Sequence, residues 1–102
     1  MLVKEFKGHK LCNSAAAIAF YYPAVSNGGD MINDFVGTVD NPVTVYPVML
    51  KCYVAFRMAG DEEARRKPKE EILEEVNLFD PKEAQEFLKV VGELLNEKSK
   101  KD

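Results

Sequence analysis

His9 is the chain's one histidine, and it stands three residues before Cys12, one of two cysteines. A thiol and an imidazole are the least equipment for nucleophilic cysteine chemistry, in which the imidazole takes up the thiol proton. The surrounding pattern works against that use. Leu2 to Phe6 alternates apolar and charged residues, Lys7-Gly8 supplies a turn, and His9 to Cys12 alternates again, which predicts a short hairpin. Strand residues three apart point to opposite faces, so a Cys12–His9 dyad is geometrically awkward. A zinc site lacks its ligands too, because Cys12 and Cys52 are forty residues apart and have no paired spacing.

Asp30 and Asp34 lie one helical turn apart and form the next candidate pair. Acidic residues at a helix start are favoured by its dipole and its free N–H groups, so capping explains them without acid–base catalysis. Gly28-Gly29 lacks the lysine and Ser/Thr of a phosphate-cradling loop and reads as a connection. The expectation is a protein that is not an enzyme, with no catalytic, cofactor-binding or metal-binding residues.

A chain of 102 residues with 46% apolar and 30% charged residues fits one soluble domain. Such a domain buries roughly 60 to 70% of the surface that its unfolded chain exposes. The expected domain covers residues 1–97, followed by a charged, frayed tail at 98–102. A net charge of −3 argues against nucleic acid. Arg65-Arg66-Lys67 and Lys98 to Lys101 are offset by nearby acids or placed at the end, and read as solvated surface. Lys4, Glu5 and Lys7 interrupt any signal-peptide core, so a cytoplasmic location with reduced cysteines is expected. A Cys12–Cys52 disulfide is the lesser alternative.

The elements that must carry any site are mostly helical. Asn13-Ser14 opens a helix through Ala15 to Phe20, whose alanines let another helix approach, and Pro23 ends or bends it near Tyr22. Ser26 to Gly29 is a loop. Asp30 then caps a helix from Met31 to about Val36, with Met31, Ile32, Phe35 and Val36 on one face and Gly37 as its stop. Asp40-Asn41-Pro42 reopens the chain into a central helix from Pro42 to Ala59, broken or kinked near Thr44 by Pro47 and closed by Gly60. Pro68 starts a helix with Ile72, Leu73 and Val76 inward and Glu70, Glu71, Glu74 and Glu75 toward water. After Asn77 to Phe79, Asp80-Pro81 begins a final helix with Ala84, Phe87, Leu88, Val91, Leu94 and Leu95 at helical spacing. The fold class expected is mainly α: a small single domain of about five helices with an N-terminal hairpin.

The central helix is the informative element. Thr44, Lys51 and Arg57 are its polar interruptions, and a helix apolar nearly all round must be buried. Pro47, Lys51 and Arg57 break the run of about 20 residues that a membrane span needs. A chain this short has little else to cover such a helix, so the surplus points toward a partner. Tyrosine suits a surface that is both buried and able to meet a partner, and methionine adapts to a helical ligand. Tyr21, Tyr22, Tyr46 and Tyr53 are read in this way with Met31 and Met58, although core packing is the alternative role for each one. The candidate partner-binding residues are Phe20, Tyr21, Tyr46, Met49, Tyr53, Phe56, Phe87 and Leu94.

The order of elements resembles the tail assembly chaperones of long-tailed bacteriophages, especially those of phages and prophages in Gram-positive hosts. Its carriers are the hairpin Leu2 to Cys12, the Asn13-Ser14 helix start, Gly-Gly-Asp-Met-Ile at 28–32, the Pro42 helix ending in Tyr53 to Gly60, Glu-Glu-Ile-Leu at 70–73 and the closing amphipathic helix. The resemblance implies a helical protein of the host cytoplasm, absent from the mature virion. It would coat the apolar tape measure protein, keep it soluble and recruit tail-tube protein, with homo-oligomers and a frameshifted longer product as further expectations. No membrane partner is expected. The alternatives are a ring-forming head-tail connector paired through the hairpin edge, and a small dimeric regulator that docks a host protein on the acidic helix 70–76.

Overall fold

The computed structural model describes residues 1–24 and 30–96, with side chains for 1–21 and 30–96. The expected Ser26 to Gly29 loop, the Glu97 to Asp102 tail and the side chain of Tyr22 lie outside the described residues. Strands β1 (Val3–Phe6) and β2 (His9–Cys12) pair antiparallel, with Val3 opposite Cys12 and Phe6 opposite His9. Lys7 and Gly8 join them with φ of 54° and 82°. Two positive φ values in a two-residue loop match the turn whose twist suits adjoining strands. Five α-helices follow among the described residues: α1 (Ala15–Ala24), α2 (Met31–Asp40), α3 (Val45–Gly60), α4 (Lys69–Leu73) and α5 (Pro81–Leu95). The protein is mainly α with a short N-terminal hairpin, as its patterning predicts.

Helix α3 is the axle. It packs against α1, α2, α4, α5 and β2, while β1 lies on α5. Phe6 on the hairpin, Tyr53 on α3 and Phe87 on α5 meet at ring-centroid distances of 5.6 to 5.9 Å. Edge-on and tilted rings add specific attraction to the area that they bury. The hairpin therefore rests on helices, which a two-strand sheet needs for stability. Asn13 fastens it further: its Oδ1 accepts from the Leu2 N–H, and its Nδ2 donates to the Leu94 carbonyl of α5.

Gly60 is the last residue of α3, and no left-handed cap is needed to explain it. A Cβ there would stand 3.0 Å from the Lys10 carbonyl oxygen and 3.1 Å from the Cys12 nitrogen, so its lack of a side chain lets β2 cross the helix. Pro47 falls in the first turn of α3, where the N–H has no helical partner to lose. The break near Thr44 takes the form of a 3-10 turn over Pro42–Thr44. Helix α1 runs through Pro23 to Ala24.

Gly37 does not stop α2. The helix continues to Asp40, and Thr38 in this extension is buried, with its hydroxyl donating to the Phe35 carbonyl at 2.7 Å. A glycine inside a helix costs about 1 kcal/mol, and the packing around Thr38 outweighs it. Asp30 caps α2 as expected, accepting from the Ile32 and Asn33 N–H groups. Asp80 caps α5 through the Lys82 N–H. Helix α4 closes at Leu73, before Val76.

Candidate functional site

The eight candidate residues divide sharply. Tyr21, Met49, Tyr53, Phe56, Phe87 and Leu94 are buried in the chain's own core, which corrects their assignment as partner-binding surface. The physical reason is that α1, α5 and the hairpin cover α3 more fully than the length of the chain suggests. Phe20 is half-buried, with the Arg65 guanidinium 5.2 Å from its ring centroid. Arg65 also donates to the Met58 carbonyl at 2.7 Å, so this arginine is fastened to the fold. Tyr46 alone among the eight stands exposed.

The core holds an ionic network. Arg57 is 2% exposed and faces Glu75 through two parallel hydrogen bonds, Nε to Oε1 at 2.8 Å and Nη2 to Oε2 at 2.9 Å. Tyr53 donates to the same carboxylate at 2.6 Å, and His9 Nδ1 lies 3.7 Å from it. Arg57 Nη1 reaches the Lys10 carbonyl and Asp61. Glu75 therefore turns inward and is corrected from the solvated face expected for 70–76. A guanidinium taken out of water needs a carboxylate in fork geometry, and position 75 brings one. Burial alone would raise the Glu75 carboxyl. The hydrogen bonds from Arg57 and Tyr53 outweigh it and hold the group below its ordinary range.

A second pairing joins α1 to α2, where the Tyr21 hydroxyl donates to Asp34 at 2.8 Å. Asp34 thus does more than favour a helix start. Burial, and then the Asp34 charge, push the Cys52 thiol up to about 12, so it stays protonated at neutral pH. Both cysteines are free. His9 and Cys12 are not brought together as a pair: His9 is directed at Glu75, and Cys12 is buried near Gly60. Among the described residues no group of three or more His, Cys, Asp or Glu is placed to hold a metal ion, and no helix is long and apolar enough to cross a membrane.

The apolar surface that does face water lies elsewhere. Ile32, Val36 and Val39 follow one line along α2, on the side away from buried Met31 and Thr38. Val39 is 78% exposed, and Val43 just beyond the helix is 81% exposed. The spacing of 32, 36 and 39 is the i, i+4, i+7 pattern of an amphipathic stripe, here turned to solvent, and Val43 adds exposed apolar surface in the 3-10 turn that follows. Ile18 of α1 joins Ile32 at the lip of a cleft of about 190 Å³ that runs down to Phe56 and Leu94. The expected single apolar face of Met31, Ile32, Phe35 and Val36 is therefore split, with Met31 inward and Ile32 and Val36 outward. Continuation of α2 through Gly37 is what puts Val39 on the same line.

A groove between α3 and α4 is the other apolar opening. Pro47, Leu50, Val54 and Leu73 line one part, of about 220 Å³, together with Lys51 and Lys69. Leu50 and Leu73 continue into a second part, of about 310 Å³, bounded by Val76, Leu78 and Phe79. Phe79 is 98% exposed at this end. Comparisons with protein-family models, curated proteins and solved structures gave no match for the chain. The functional reading accordingly stands on the two apolar surfaces and the sequence pattern.

Proposed function

We propose that the chain is a protein-binding module of the tail assembly chaperone kind, which holds amphipathic segments of a long apolar client and keeps it soluble. The client is the tape measure protein of a phage or prophage, the setting is the host cytoplasm, and the bound complex recruits tail-tube protein. One observation carries this reading: Ile32, Val36 and Val39 on α2, with Val43 just beyond it, form an exposed apolar stripe suited to a helical ligand and uncovered among the described residues. Apolar surface concentrated along one line marks an interaction site better than scattered exposed residues do.

Binding on this stripe derives from apolar burial at about 25 cal/mol per Å², reduced by the entropy of ordering both chains. A stripe of four residues makes a weak single contact. Many copies along one client add up through avidity. The regulator reading is less well supported, because its acidic docking face loses Glu75 to Arg57. The test is co-expression with the largest helix-rich reading frame downstream of the gene, followed by pull-down and solubility fractionation. Solubilisation of that protein with many copies of this chain bound supports the proposal. An insoluble client beside a closed ring of this chain favours the connector.

A further inference from the structure

We infer that the groove between α3 and α4 is a second docking site, distinct from the α2 stripe, and that it takes an amphipathic helix of a partner protein carrying carboxylates at one end. The groove has a direction. Lys51 and Lys69 stand at the end lined by Pro47 and Val54, and the opposite end, at Val76, Leu78 and Phe79, has no charged lining. Neither lysine is ion-paired among the described residues. Two cations with no ion-pair partner beside an apolar floor favour a ligand that brings its own acids.

The floor suits a helix. Pro47, Leu50, Lys51 and Val54 share one face of α3 over about 10 Å of helix axis, which matches roughly two turns of ligand with anchors at i, i+3 or i+4, and i+7. Phe79 lines the other part of the opening and is free to meet the ligand there. The chain's own residues 97–102 do not fit, since they carry no apolar side chain and three lysines. A basic client would meet like charge at Lys51 and Lys69.

The probe is a fluorescent amphipathic peptide of about 14 residues with leucines at those anchor spacings and glutamates in one terminal turn. Its twin carries lysines in their place. Anisotropy titrations with the full chain at about 50 mM salt should give a Kd for the acidic peptide at least about tenfold below that of the twin. Lys51→Glu with Lys69→Glu should reverse the preference. Phe79→Ala, at a site too exposed to matter for folding, should weaken the acidic peptide about tenfold, and Val39→Asp should leave it unchanged. Equal affinity for the twins, no binding of either, or selectivity that survives the double charge reversal overturns the inference. So does Phe79-dependent self-association seen by sedimentation that the peptide does not displace, because the groove is then a contact between copies. Failure of the unsubstituted chain to solubilise the client, with peptide binding intact, defeats the chaperone proposal and leaves the groove standing.

Discussion

Arg57 and Glu75 lock α3 to the segment after α4 through paired hydrogen bonds of 2.8 and 2.9 Å, with Tyr53 closing on the same carboxylate from the aromatic core. Three parts of the chain converge there, since Arg57 also holds the Lys10 carbonyl of β2. Removing one partner strands a buried charge. Glu75→Gln should therefore cost about 3–5 kcal/mol in urea unfolding, whereas Arg57→Met combined with Glu75→Leu should cost clearly less. A loss in the double variant equal to the sum of the losses from Arg57→Met and Glu75→Leu alone would show that the two groups are not coupled.

The same pair sets an acid limit. Because the folded Glu75 carboxyl is held below its ordinary value of 4.5, its contribution is complete above that value and is lost as pH falls through the folded one. Thermal melts between neutral pH and about pH 3 should show stability declining below pH 4.5. In Glu75→Gln the decline should be shallower. A wild-type curve that is flat through this window would contradict the assignment.

Two glycines give opposite predictions. Gly60→Ala forces a methyl to within 3.0 Å of the Lys10 carbonyl oxygen, and overpacking of this kind costs about 1–3 kcal/mol. Gly37→Ala meets nothing within 4 Å on an exposed helical site, so it should stabilise by about 0.4–1 kcal/mol. Chemical denaturation of both variants checks the pair, and the signs matter more than the sizes.

Substitutions on the stripe and in the core should separate binding from folding. Val36→Asp with Val39→Asp changes exposed positions and should leave the circular dichroism spectrum and melting temperature near wild type while client solubilisation is lost. Tyr53→Asp or Phe56→Asp lies in the core and should unfold the chain, so either would report on stability and not on the interface.

Sequence periodicity accounts for the helices, the hairpin turn and the buried face of α5, because each rests on local spacing: Phe87, Val91 and Leu94 follow the helical repeat, and Lys7-Gly8 sits between two alternating runs. Surface assignment from sequence fails where tertiary packing decides. Tyr53 and Phe56 read as surplus because the alternating hairpin carries no sign that Phe6 packs on Tyr53 and that β2 crosses α3. A lone arginine in an apolar helix was a signal for a buried acid, yet Glu75 was masked by its acidic neighbours Glu70, Glu71 and Glu74. Val39 is not legible as surface because Gly37 reads as a stop, and the burial of Thr38 that carries the helix past it is a long-range effect.

Site-specific photo-crosslinking tests the central claim most directly. Benzoylphenylalanine placed at Val39, or at Gln85 on the exposed side of α5 as a control, would be irradiated in cells that co-express the large downstream helical protein. The account predicts a crosslink from Val39 to that protein and none from Gln85. Crosslinks from Val39 only to other copies of this chain, or equal crosslinking at both positions, would contradict it.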